Sequence, residues 1–104
     1  MKKTILAISM LLAFSVGLFA QTTTPKIDRT QKRQQARIHQ GVKSGKLTKG
    51  EARQLEKQQQ KIQQDKGIAK SNGVVTPHER KYVRHKQKQA SKNIYRKKHN
   101  NKTS

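Results

Sequence analysis

Ser44-Gly45-Lys46-Leu47-Thr48-Lys49-Gly50-Glu51 returns 28 residues later as Asn72-Gly73-Val74-Val75-Thr76-Pro77-His78-Glu79, giving G-x-[LV]-T-x-x-E twice. Each copy reads as a helix stop followed by a helix start. Gly45 and Gly73 supply the left-handed backbone that commonly closes a helix. Thr48 with Glu51, and Thr76 with Glu79, have the spacing of a capping box, which satisfies orphan amides at the next N-terminus. Pro77 falls at the first helical position, where its missing N–H costs nothing. Leu47 and Val75 precede the caps as hydrophobic staple residues would. Their partners at the fourth helical position are Ala52 and Arg80, so the second staple is the weaker one.

Outward from these marks, the chain divides into three helices at about 28–43, 49–66 and 77–99. Residues 21–27, with three Thr and a Pro, read as a linker and 100–104 as a frayed basic tail. Apolar spacing fits helices: Ile38 and Val42 are four apart, Ala52, Leu55 and Ile62 share a face, and Val83, Ala90 and Ile94 form a stripe bordered by Tyr82 and Tyr95. The Gln-rich run 54–66 reads as a solvated face of good helix formers, not an aggregation tract, because charges interrupt it. The expected fold is all-α: a small three-helix antiparallel arrangement with a thin core.

How thin follows from composition. The first 20 residues place Lys2 and Lys3 before the apolar run Ile5 to Phe19 and end on Ala20, the pattern of an export signal cleaved to leave Gln21 first; Ser15 and Gly17 offer an alternative cut. At about 16 residues the run is shorter than the roughly 20 a spanning helix needs. A periplasmic or secreted protein is expected. The absence of Cys removes both a lipid-bearing thiol and any disulfide. Beyond residue 20 stand 23 Lys and Arg against 5 acids, a formal +18 on 84 residues, with only 11 Leu, Ile and Val and no Phe or Trp. Self-repulsion and so little apolar surface limit the chain to one small domain, only partly folded in isolation if no partner orders it.

No catalytic constellation is present. The acids are Asp28, Glu51, Glu56, Asp65 and Glu79, of which two belong to caps; no Ser sits in a nucleophile elbow and no Gly-rich phosphate cradle occurs. A burial-tuned acid or base also needs a dry pocket that this core is too small to build. The expectation is a non-enzyme without a cofactor.

The half-motif resembles the second half of an EF-hand loop, which would make Glu51 and Glu79 closing ligands. The opening positions would then be Gln40, Val42 and Ser44, and Ile68, Lys70 and Asn72, none of them a carboxylate. A helix of about 18 residues also holds the two loops roughly 27 Å apart, too far to pair. Histidine offers little more. His78 and His85 are about 10.5 Å apart along one helix, and His39 and His99 are isolated. No metal site is assigned.

The series Arg37-Ile38, Gly41-Val42, Ser44-Gly45, Leu47-Thr48, Glu51, Gly73, Thr76-Pro77, Glu79-Arg80, Ser91, Ile94-Tyr95 and Lys98-His99 resembles a group of small exported bacterial helical proteins of unknown function. That resemblance implies architecture and export, and no site residue.

Charge remains. Residues 76–104 hold ten Lys and Arg against Glu79 alone, net +9 in 29 residues. Besides Lys86 and Lys102 these are Arg80, Lys81, Arg84, Lys88, Lys92, Arg96, Lys97 and Lys98, the candidate polyanion-binding residues. Such a helix attracts phosphate polymers or anionic membrane surfaces through counterion release. With only Tyr82 and Tyr95 as aromatics it lacks a stacking platform, so sequence-specific nucleic-acid recognition is not expected. Three readings follow: an exported basic module binding anionic polymers or surfaces, a cation binder using the degenerate loops or the histidines, or a structural envelope protein that orders on a protein partner.

Overall fold

The structure, a computed structural model, describes residues 22–100. The expected export segment at 1–20, Gln21 and tail residues 101–104 lie outside the described residues. Among the described residues three helices pack together: α1 (Pro25–Lys43), α2 (Lys49–Ser71) and α3 (Pro77–Lys98). None of them is long and apolar enough to cross a membrane.

The two repeated stretches form the turns. Gly45 and Gly73 hold φ of 77° and 82°, and the amide of each donates back into the preceding helix, to Val42 O and Lys70 O. At both starts the capping boxes are complete. Thr48 Oγ1 accepts from Glu51 N at 3.1 Å while Thr48 N donates to Glu51 Oε1 at 3.0 Å. Thr76 and Glu79 repeat the pair at 3.1 and 3.0 Å. Replacing Thr48 or Thr76 with Ala should therefore cost about 0.5–2 kcal/mol in urea unfolding, by the same amount with calcium as with a chelator. Helicity that rises with calcium and ignores both substitutions would return the loops to the cation-binding reading.

Two boundaries differ from the expected ones. α1 begins at Pro25, not Asp28, so part of the expected 21–27 linker is helical: Pro25 occupies a first-turn position, Thr24 is the N-cap and Ile27 is buried. A Thr–Pro run looks like a loop, yet Pro is well placed at a helix start, and burying Ile27 favours extending the helix backwards. α2 continues past Lys66 to Ser71. Gly67 interrupts it at a cost of only about 1 kcal/mol, and the turn beyond buries Ala69. Asn100, the first residue of the expected tail, donates its amide to Glu51 Oε2 at 2.5 Å.

Side-chain bonds fix the directions. Lys66 Nζ donates to Asp28 Oδ1, and Gln31 Nε2 to Gln63 Oε1, so α1 and α2 are antiparallel. Asn93 to Gln58 and Lys97 to Gln54 make α2 and α3 antiparallel. It follows that α1 and α3 run parallel: Arg80 donates to Thr23 O, Gln87 to Ile27 O, and Arg37 to Ser91.

The core is two small clusters. Ile27, Ile62, Val83 and Ala90 form one; Ile38, Leu47, Leu55 and Ile94, with Ala52 against them, form the other. Leu47 reaches its cluster because α1 carries Gly41 there, where a Cβ would fall 2.5 Å from Leu47 Cδ1. Val42, expected inside, is 45% exposed, and Tyr82 and Tyr95 are exposed by 50% and 59%. The turn bends away after Gly41 and gives the inward place to Leu47.

A buried glutamine from each helix supplements the clusters. Gln34, Gln59 and Gln87 are each 3% exposed. Gln59 Nε2 donates to Gln34 Oε1 at 2.8 Å, Gln34 Nε2 to Gln87 O at 2.7 Å, and Gln87 Nε2 to Ile27 O at 2.9 Å. The repeat carries this pattern: 28 residues relate Leu55 to Val83, Gln59 to Gln87 and Ile62 to Ala90, all of them buried. Among the described residues Gln59 Oε1 is buried without a partner; the bonds that are made favour one helix register over others, because sliding would break them.

Candidate functional site

Because α1 and α3 are neighbours, basic side chains from two separate stretches of sequence face one another. An open groove of about 850 Å³ runs between these helices, lined by Arg33 and Arg37 of α1 and by Arg80, Lys81, Arg84 and Lys88 of α3, with Thr30, Gln34, Pro77, His85, Gln87 and Ser91 between them. Among the described residues no carboxylate lines it. The acids lie elsewhere: Glu51 and Glu79 in caps, Asp28 turned to α2, Glu56 and Asp65 on α2 itself.

Two guanidiniums in the groove are held in place. Arg37 donates to Ser91 Oγ at 2.7 Å and Ser91 O at 3.1 Å. Arg80 donates to Thr23 O at 2.7 Å. Arg84, Lys81, Lys88 and Arg33 are exposed, and Arg33 donates to Thr30 Oγ1 at 3.4 Å. Fixed guanidiniums lose less side-chain freedom when they meet an anion.

Of the residues expected from sequence, the structure gathers Arg80, Lys81, Arg84 and Lys88 into the groove and leaves Lys92, Arg96, Lys97 and Lys98 outside its lining. Lys97 turns to Gln54 on α2, Arg96 bonds Asn93, and Lys98 reaches Arg37 O at 3.4 Å. Burial, with repulsion from Arg37 and Lys46, lowers the Lys98 pKa. Positive charge is thus crowded at this end of the α1/α3 pair. Arg33 and Arg37 do not stand out in a count of charge by segment; the signal for them in the sequence is the i, i+4 row Arg29-Arg33-Arg37, beside the inward Gln34 and Ile38.

On the opposite seam, burial raises the Asp28 pKa, but hydrogen bonds from Lys66 and Thr24 and the charges of Lys66 and Lys70 outweigh it and leave it below its ordinary value. The ion pair adds stability above the unfolded carboxylate pKa, lost as pH falls through the lowered folded one. With Asp28 43% exposed the effect is a small one.

The cation-binding residues are not brought together. Glu51 and Glu79 accept in their capping boxes, and among the described residues no three His, Cys, Asp or Glu converge on a metal position. His85 lines the groove, His78 a smaller pocket with Asp65 and Tyr82, and His99 stacks on Tyr95 with ring centroids 4.0 Å apart. Neither tyrosine lines the groove; Tyr82 carries Lys86 Nζ 5.5 Å from its ring centre. Comparison with protein-family models, curated proteins and solved structures finds no match for this chain.

Proposed function

We propose that this chain is an exported basic helical module that binds anionic polymers or surfaces by charge, without reading base sequence, and that the α1/α3 groove is where it binds. One observation carries the reading: six Lys and Arg from two parallel helices line a single groove that contains no carboxylate. A concave, one-sign surface focuses potential more strongly than the same charges spread over a convex helix. The export signal supplies the location, where envelope phosphates, anionic lipid headgroups and extracellular nucleic acid are the available polyanions. No step of catalysis and no cofactor belongs to this function.

The test compares two triple substitutions of equal charge. Arg33→Gln/Arg84→Gln/Lys88→Gln empties the groove of three exposed cations, and Arg96→Gln/Lys97→Gln/Lys98→Gln removes three from the end of α3. Titrated against a labelled heparin-like polymer at low salt, the groove triple should lose at least about tenfold more affinity than the end triple. Equal losses would show that the surface acts as a diffuse charge cloud and the groove has no special part.

A further inference from the structure

The shape of the groove narrows the class of polyanion. Resting on the binding reading above, we infer that the α1/α3 groove takes a single extended phosphodiester chain lying along the helices, held by its backbone alone, in preference to a duplex or a membrane surface.

Three features lead there. First, Arg80, Arg84 and Lys88 follow one another at i, i+4, which sets them about 6 Å apart along α3, and Arg33 and Arg37 repeat that interval on α1. Because the two helices are parallel and in register, with Arg37 on Ser91 and Gln34 on Gln87, the rows run side by side. A linear polyanion along the groove meets a cation from one wall or the other at each helical turn.

Second, the groove is bounded by two neighbouring helices. Packed helix axes lie roughly 8–10 Å apart, so the furrow between them admits one chain. A duplex is stiff over about 150 base pairs and would bridge the rims without entering. A vesicle surface is flatter still. Either would meet the exposed ends of Lys81 and Lys88 but not Arg37, which its bonds to Ser91 hold against α3.

Third, the lining offers nothing that recognises a base. Among the described residues it contains no Tyr, Phe or Trp, and His85 is its single aromatic ring. Stacking on aromatic rings supplies much of the affinity where single-stranded nucleic acid is bound through its bases. Here the shared chemistry is the phosphodiester backbone, whether it comes from a single-stranded nucleic acid or from a polyol-phosphate polymer of a cell envelope.

The experiment measures affinities of the purified protein at one low salt concentration for four probes: a labelled oligothymidylate, the duplex of the same length, a poly(glycerol phosphate) of matched charge, and anionic phosphatidylglycerol vesicles. The oligothymidylate and the poly(glycerol phosphate) should agree within about threefold, and each should exceed the duplex and the vesicles, per site, by at least about tenfold. Arg33→Gln/Arg84→Gln, at two exposed positions, should leave the helical circular dichroism intact and remove most of that advantage. Lys57→Gln/Lys61→Gln on the outer face of α2 should keep it. A duplex or vesicle bound as tightly as the single chains overturns the inference while sparing the proposed function. An oligothymidylate more than about tenfold tighter than the glycerol polymer overturns the backbone-only claim. Failure of all four probes to bind overturns both.

Discussion

Raising salt from about 50 to about 200 mM should weaken binding of a single-stranded phosphate polymer roughly 300-fold, because six contacts at a slope near −0.7 each give log K falling by about four per decade of salt. The six are the groove cations Arg33, Arg37, Arg80, Lys81, Arg84 and Lys88. Substituting three of them, as in Arg33→Gln/Arg84→Gln/Lys88→Gln, should reduce the slope to about half as well as weakening binding. The slope counts released counterions and so, with the per-contact value of the polymer used, counts contacts. Titrations at several salt concentrations measure it. Binding that scarcely responds to salt would mean that the contacts are not ionic, and the groove would need another explanation.

The second large effect falls on folding. Leu55 is 1% exposed and packs with Ile38, Leu47 and Ile94 in one of the two small clusters among the described residues. Leu55→Ala should cost about 2–5 kcal/mol through lost burial and the cavity left behind. A bundle of this size has only about 4–12 kcal/mol in all, and repulsion among its cations works against it. The substituted chain should be largely unfolded at body temperature by circular dichroism, and a polyanion that binds the folded bundle should restore helix by mass action. Unchanged thermal unfolding in Leu55→Ala would show that this cluster does not hold the helices together.

The helix count and the turns were legible because each depends on a few neighbouring residues. Gly45, Thr48 and Glu51 settle the first junction within seven positions, and Gly73, Thr76 and Glu79 settle the second. The end of α2 was less legible: Gly67 looks like a terminator, but its modest cost is outweighed by the burial of Ala69, a contact no local reading reveals. Buried glutamines escape a search for apolar stripes. Their signal was the 28-residue repeat itself, which carries on from the caps through Leu55/Val83 to Gln59/Gln87. The groove was half legible. Arg80, Lys81, Arg84 and Lys88 stood out by charge density, whereas Arg33 and Arg37 join them only once α1 and α3 are known to be adjacent and parallel, a fact of tertiary packing.

Mapping the amide chemical shifts of the isotope-labelled protein while adding a short single-stranded phosphate polymer tests the central claim most directly. The account predicts perturbations concentrated on α1 and α3 along the groove, at Arg33, Arg37, Arg80, Arg84, Lys88 and Ser91, with the outer face of α2 around Lys57 and Lys61 unmoved. Shifts spread evenly over every basic residue, or centred on α2, would contradict it.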